Sequence, residues 1–186
     1  MTSRPSRPPT GRAAALAIAA LALLTAASAT AGPELVAFPA DYKTRFVLYN
    51  TVERPDRKPA VVRFLYANPE AVAAARPREA APSGTVLVME DRKVALDAAG
   101  EPRRDADGRY IATDEIVAIA VQEKRAGWGA DYPASKRNGE WEYAAFAPDG
   151  AARPSVNVGP CFTCHLNRTA RDYNFTFAKW VIDGKP

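Results

Sequence analysis

The feature that most constrains this chain is a run of five residues near its C-terminal end, Cys161-Phe162-Thr163-Cys164-His165. The 186-residue sequence contains two cysteines and one histidine, and all three lie in this run. On an α-helix, positions i, i+3 and i+4 share one face. A helix here would therefore carry both thiols and the imidazole on one face. The rest of the fold must leave space beside that face for a bound group.

The spacing is that of C-x-x-C-H, the signature for covalent attachment of haem c. Two thiols three residues apart can reach two vinyl groups of a porphyrin, and the adjacent imidazole is a standard ligand of haem iron. We therefore predict one covalent haem c, attached through Cys161 and Cys164, with His165 as the metal ligand. Because there is no second histidine, a sixth iron ligand would have to be another side chain, a water or nothing.

Three other interpretations of the two cysteines stay open at this point. A redox-active Cys-x-x-Cys pair usually lies early in a βαβ unit, and no such unit precedes this one. A structural zinc site needs four ligands and a catalytic one three, but the chain has no other cysteine or histidine. A structural disulfide would close so short a loop that it would constrain little.

Residues 1–31 have the organisation of a secretory signal peptide. Three arginines come first, an apolar run follows at 13–29, and small residues then fit an A-x-A cleavage site. A retained membrane anchor is the alternative, but the run is rich in alanine and barely long enough to span a bilayer. We expect residues 32–186 to form a single periplasmic haem domain with no stable membrane anchor.

The charge balance argues against nucleic acid as a partner. The whole chain has 25 basic and 21 acidic residues, and removing the three arginines of the leader leaves 22 against 21. A nearly neutral domain lacks the strongly basic surface on which nucleic acid binding depends.

Between the leader and the cysteine motif, five runs rich in Val, Ile, Phe and Tyr predict strands. They lie at 46–52, 61–67, 85–93, 115–123 and 141–146, and the fourth is apolar on both faces, which favours a central position. Asn68 and Pro69 predict the cap and first turn of a short helix, and residues 97–109 predict a long hairpin loop. The predicted fold class is α+β and β-rich, an antiparallel sheet of about five strands with short helices and a C-terminal haem c-binding helix.

Several blocks of the sequence resemble the cytochrome P-460 family. The segment CFTCHLNRTARDYNFTF resembles the family's C-terminal signature, and FPADYKTRFVLYNTV, VRFLYANPE and GTVLVMEDRK resemble its upstream blocks, so that the similarity covers roughly residues 38–177. The resemblance implies a β-rich haem domain, usually dimeric and periplasmic. The family contains enzymes that oxidise hydroxylamine and also relatives, the β-sheet class of cytochrome c-prime, that bind nitric oxide or similar gases.

One position departs from the enzymes of that family, in which a lysine on a strand resembling GTVxVKE is cross-linked to the haem ring. This chain reads GTVLVME, which places Met89 where the resemblance puts the lysine. Strand alternation puts Thr85, Leu87 and Met89 on one face. One interpretation, which follows the resemblance, is that Met89 lies over the haem, either as a sixth iron ligand or as an apolar cap. The other is that Met89 is an ordinary methionine of the core. Lys93 lies roughly 13 Å away at about 3.3 Å per residue, too far to replace the lysine.

The sequence therefore predicts a periplasmic monohaem cytochrome that transfers electrons, binds a small nitrogen-oxide ligand such as nitric oxide, or does both. The alternative is a haem enzyme that oxidises hydroxylamine or nitric oxide. The redox partner protein is not identified by the sequence, and a homodimer is implied by the resemblance alone. Lys124 and Arg125 are candidates to pair with haem propionates or to form a surface charge cluster, and Trp128, Tyr132 and Trp141 to line a pocket or a core.

Overall fold

The structure, a computed structural model, describes Met1 and residues 32–184. It confirms the predicted class, because a single five-stranded antiparallel sheet carries a few short helices, including one near the C-terminus. The strands are β1 (Val47–Arg54), β2 (Val61–Ala67), β3 (Val86–Val94), β4 (Ala112–Lys124) and β5 (Trp141–Phe146). The helices are α1 (Tyr42–Arg45), α2 (Pro69–Ala74), α3 (Gly159–Leu166) and α4 (Phe177–Ile182).

The predicted signal peptide falls on residues 2–31, outside the described residues. In the part of the chain that the structure does describe, no helix combines the length and apolar character needed to cross a membrane.

The sheet is a simple meander in which each strand pairs with its neighbours in sequence, in the order β1-β2-β3-β4-β5. The strand expected to be central, β4, has a partner on both sides, but the middle strand of the sheet is β3. β4 also begins earlier than predicted, because its first residue, Ala112, pairs with Val94 at the end of β3. The long hairpin loop at 97–109 connects these two strands and is held by isolated bridges, Leu96 to Pro102 and Arg104 to Tyr110.

The short helix after β2 forms where it was predicted, with Pro69 in its first turn, but Asn68 does not cap it with its side chain. The Asn68 side chain instead accepts a hydrogen bond from the Val86 amide at 2.8 Å and donates one to the Gly84 carbonyl at 3.1 Å. Since Val86 begins β3, the amide group of Asn68 ties the end of β2 to the start of the next strand.

The two faces of the sheet are covered by different parts of the chain. One face packs against the N-terminal segment, where Val36 and Tyr42 join Val88 and Ile119 in a buried cluster. On the other face the apolar cover comes from the C-terminal helices, through residues such as Phe162 of α3 and Phe177 and Val181 of α4. The C-terminal elements cover only part of this second face, and the part they leave open carries the site.

A buried carboxylate anchors the N-terminal segment to the covered face. Glu90 on β3 is fully buried, accepts hydrogen bonds from the Tyr42 hydroxyl and from Arg92, and lies 3.3 Å from the Lys43 ammonium. Burial, and next the hydrogen bond to Glu90, raise the pKa of the Tyr42 hydroxyl, so this group stays protonated and donates. A buried charge of this kind is tolerated only while its partners remain in place.

We predict that Glu90→Ala destabilises the protein by about 3 kcal/mol or more, because Arg92 and the Tyr42 hydroxyl lose their partner in a buried setting. Urea denaturation followed by circular dichroism measures the change. The matched control is Glu115→Ala, which removes a carboxylate whose side chain is 60% exposed and paired with Lys93, and which should cost less than about 1 kcal/mol. Equal losses in the two variants would contradict an anchoring role for Glu90.

Candidate functional site

A cavity of about 590 Å³ lies between the open face of the sheet and the C-terminal segment. Its volume is within the range of roughly 300–1,000 Å³ that is typical of ligand and cofactor pockets. One wall is formed by residues of all five strands, and the other by α3 and the residues just before α4. The lining residues are Tyr49, Val52, Arg54, Arg57, Arg63, Leu65, Leu87, Val88, Met89, Ala120, Val121, Gln122, Tyr143, Pro160, Cys161, Cys164, His165, Asn174, Phe175 and Thr176.

The three motif residues and Met89, which the sequence predicted to hold the haem, all line this cavity. Cys161, Cys164 and His165 lie on the cavity side of α3, as their i, i+3, i+4 spacing requires. Met89 lies across from them on the sheet wall, in the middle strand.

The opposite side of α3 fixes the helix against the protein. Phe162 is buried and packs against the rings of Tyr132 and Tyr143, with centroids 4.8 and 4.7 Å away. The buried side chain of Asn138 donates a hydrogen bond to the Phe162 carbonyl at 3.1 Å and another to the Tyr143 hydroxyl at 3.0 Å. The motif is therefore presented by a helix whose other face is held by packing and hydrogen bonds.

His165 is held in one tautomer and orientation. Its Nδ1 lies 2.6 Å from the Tyr173 carbonyl oxygen, and since a carbonyl only accepts, Nδ1 carries the proton and Nε2 a free lone pair. Burial lowers the pKa of His165, which favours the neutral ring. Phe175 and Tyr143 flank the imidazole with ring centroids 4.9 and 5.0 Å away. A neutral imidazole with one nitrogen tethered and the other free is the form that ligates a metal.

The two cysteines are free thiols in different environments. Cys161 is half-buried, and burial, followed by the proximity of Cys164, raises the pKa of its thiol. Cys164 is exposed at the rim of the cavity. Among residues 32–184 no group of three or more His, Cys, Asp or Glu side chains is placed to hold a metal ion. The disulfide and zinc interpretations therefore gain no support from the geometry.

Met89 is the central residue of the sheet wall. It pairs with Leu65 on β2 and with Ala120 on β4, and all three line the cavity. The small side chain of Ala120 leaves space beside the methionine. Met89 is half-buried rather than enclosed in a core, so its thioether borders the cavity.

Sequence reasoning missed the arginines of the cavity. Arg63 is two residues from Leu65 on β2 and forms a bidentate ion pair with Asp91, at 2.7 and 2.8 Å. Arg54 pairs in the same way with Asp56. Arg57 also lines the cavity and has no ion pair within residues 32–184. Alternation along β2 does place Arg63 beside Leu65, but which face borders a cavity depends on where the C-terminal helices dock.

The other candidates from the sequence lie outside the cavity. Lys124 is buried and pairs with Asp172 at 2.8 Å, and Arg125 pairs with Glu123. Neither lines the cavity. The large aromatics follow the core interpretation: Trp141 is fully buried, Trp128 is buried in the cluster on the covered face, and Tyr132 packs against the core beside α3.

The lining of the cavity fits a haem group. Leu65, Leu87 and Phe175 supply apolar surface, while the arginines supply cations for its carboxylates. Asn174 is a buried polar residue of the same lining. Its side chain is 1% exposed, its oxygen accepts a hydrogen bond from the Ala178 amide at 2.8 Å, and its nitrogen has no hydrogen-bond partner. Buried donors are nearly always paired, but Asn138 and Trp141 also carry unpaired buried atoms and do not line the cavity, so the fit to haem rests on the thiols, the imidazole and the apolar and cationic lining.

Comparison with known protein families identifies the family of this chain. The family model described as Cytochrome P460 matches residues 39–176, which include all five strands and the three residues of the motif on α3. No curated protein matches the chain. The match covers most of the chain and confirms the resemblance found in the sequence.

Proposed function

The chain belongs to the cytochrome P460 family, and we propose that it is a periplasmic monohaem c-type cytochrome that transfers electrons, binds a small nitrogen-oxide ligand such as nitric oxide, or does both. Membership of the family supports a haem-binding cytochrome that contains iron. In the proposal Cys161 and Cys164 hold the haem covalently, His165 ligates its iron, and Met89 shapes the opposite side.

One observation carries this proposal. Two free thiols and a neutral, tethered imidazole meet on one wall of a cavity whose size suits a cofactor. When bound, haem supplies an iron that exchanges one electron and offers a coordination position to a small ligand. The chain's own contribution is to orient the imidazole, hold the ring and exclude water.

The arginines at the cavity replace Lys124 and Arg125 as candidates to bind the haem propionates. Arg63 is already paired with Asp91, whereas Arg57 is exposed and lines the cavity without an ion pair among the described residues. A guanidinium binds a carboxylate through two parallel hydrogen bonds. Arg57 is therefore the better placed of the cavity's cations to pair with a propionate.

The surroundings of Met89 favour a small, uncharged ligand. Leu65 and Ala120 flank it, and neither offers a proton donor or acceptor. These immediate neighbours suit a diatomic gas better than a substrate that needs proton transfer; the Arg63–Asp91 pair lies two register positions away on the same face.

The proposed periplasmic location rests on the signal peptide that the sequence predicts at residues 1–31. An exported protein also suits the proposed chemistry, because covalent haem attachment takes place outside the bacterial cytoplasm. A homodimer stays a prediction, for which the exposed apolar residues Val47 and Leu48 on the edge strand β1 offer some support.

We predict that protein matured with a haem c assembly system keeps its haem through acid-acetone extraction. Cys161→Ser and Cys164→Ser should each retain haem through one remaining bond, and the double variant should lose it completely. Thr163→Ser is the matched control, since Thr163 is exposed on the same helix and does not line the cavity. Wild-type protein that released its haem would contradict covalent attachment.

We predict that the reduced wild-type protein shows a broad, high-spin spectrum that changes when nitric oxide is added, and that Met89→Leu behaves in the same way. Leucine keeps the apolar cap but removes the thioether sulfur. Absorption spectra of the oxidised, reduced and nitric oxide-treated proteins measure this. Sharp low-spin bands in the wild type that are lost in Met89→Leu would instead make Met89 the sixth ligand and the protein an electron carrier.

The alternative function is an enzyme that oxidises hydroxylamine or nitric oxide. One observation favours it: the Arg63–Asp91 pair brings ionisable groups to the sheet wall, two register positions from Met89 along β2 and β3 and on the same face. Such a pair is a candidate to orient a substrate or to assist proton transfer. The position that the resemblance assigns to the cross-linking lysine is nonetheless a methionine, which cannot form the same bond through nitrogen.

We expect fully haem-loaded protein to show no turnover of hydroxylamine with an added electron acceptor. The assay follows reduction of the acceptor, with haem content fixed by pyridine haemochrome. Turnover in the wild type that is lost in Arg63→Met and kept in the surface control Lys93→Met would favour the enzyme over the cytochrome. A reduced Soret band displaced far to the red would point the same way, because it would indicate a cross-linked haem.

A further inference from the structure

The Tyr173 carbonyl oxygen accepts two hydrogen bonds. One comes from Nδ1 of His165 at 2.6 Å and the other from Nε2 of Gln122 at 3.2 Å. Gln122 lies on β4 and is only 8% exposed. A carbonyl oxygen has two lone pairs, so both are used, one by the imidazole and one by the sheet.

The backbone that presents this carbonyl adopts an uncommon conformation. Asp172 and Tyr173 are consecutive non-glycine residues with φ of +49° and +57°, in the left-handed region that L-residues disfavour. Such a conformation persists only where the surroundings hold it. The turn must therefore be fixed by contacts outside itself.

The Asp172 carboxylate supplies those contacts. The same oxygen accepts a hydrogen bond from the Lys124 ammonium at 2.8 Å and from the Ala81 amide at 2.9 Å. The two charged side chains are 8% and 14% exposed, and the ammonium lies 5.7 Å from the centre of the Trp141 ring. Lys124 is two residues beyond Gln122 on β4. One strand therefore binds both the Asp172 side chain, which fixes the turn, and the Tyr173 carbonyl oxygen.

Hydrogen bonding at Nδ1 changes the properties of a ligating histidine. A stronger acceptor makes the imidazole a more basic ligand, which stabilises oxidised iron relative to reduced iron and lowers the reduction potential. A second donor on the same acceptor draws electron density away from that oxygen. Gln122 should therefore weaken the bond from His165, while the Lys124–Asp172 pair keeps the carbonyl close enough to form it.

We propose that Gln122 and the Lys124–Asp172 ion pair are positioning residues that set the strength of the His165–Tyr173 hydrogen bond and, through it, the reduction potential of the haem. The inference rests on the proposed function, in which His165 ligates the iron. In the proposal, each acts on His165 through the Tyr173 carbonyl.

The two parts of the network predict shifts of opposite sign. Gln122→Met keeps the length and apolar stem of the side chain but removes the second donor to Tyr173, together with its 3.3 Å hydrogen bond to the Tyr143 hydroxyl, so the potential should fall. The double variant Lys124→Met/Asp172→Asn removes the ion pair without changing the net charge and frees the turn, so the potential should rise. Each shift should be about tenfold in the redox equilibrium constant, equivalent to about 59 mV for one electron.

The hydrogen bond itself has a direct readout, because His165 is the single histidine of the chain. Selective ¹⁵N-histidine labelling then gives one Nδ1–H signal, observed on reduced, carbon monoxide-bound protein, which is diamagnetic. This proton should move downfield in Gln122→Met and upfield in the double variant. Lys93→Met/Glu115→Gln, which removes an exposed ion pair, is the charge-neutral control and should leave the signal and the potential unchanged.

The outcomes separate the inference from the function on which it rests. Opposite shifts of potential and of proton signal in the two variants support the network. Haem-loaded variants whose potential and proton signal match the wild type, or shift in the same direction, overturn the inference and leave the proposed function intact. Wild-type protein that takes up no haem by pyridine haemochrome overturns both. Gln122→Met creates no unpaired charge, so it keeps the test decisive if the double variant does not fold.

Discussion

The hydrogen bond from His165 to the Tyr173 carbonyl is the contact on which the architecture of the site depends. It joins α3, which carries the thiols and the imidazole, to the segment that leads into α4. Those two pieces form the wall opposite the sheet. Each is also tied back to the protein, α3 through Asn138 and the turn through Lys124. This wall is thus held at both ends, while the cavity between it and the sheet stays open.

The cavity exists because the two faces of the sheet are covered to different extents. On one face, Tyr42 and the N-terminal segment cover β3 and β4 closely and bury the carboxylate of Glu90. On the other face, α3 and α4 pack at one side and leave the row around Met89 exposed to a cavity. A β-strand sends alternate side chains to opposite faces, so neighbouring residues of β3 serve quite different roles.

Much of the fold was predictable from local patterns. Strands β2 and β5 have the bounds expected from their runs of β-branched and aromatic residues, because they are flanked by turn formers that stop them clearly. The start of β4 was missed, since it depends on pairing across to Val94 rather than on its own composition. Asn68 occupied the expected cap position, but its side chain found a stronger set of partners at Gly84 and Val86 than the helix could offer. Local sequence patterns therefore predict where an element lies better than they predict which residues its side chains contact.

By itself the sequence determined the family, the class of fold and the helix that carries the motif, because spacing and alternation are properties of neighbouring residues. It also placed Met89 on the same strand face as Leu87. Only the tertiary structure decided which charged side chains line the cavity. Lys124 is buried against Asp172, whereas Arg63 and Arg57 line the cavity. The tertiary structure also joined Gln122 to the carbonyl that holds His165. These contacts bridge residues far apart in the chain, and their energies depend on the burial and distance that packing alone creates.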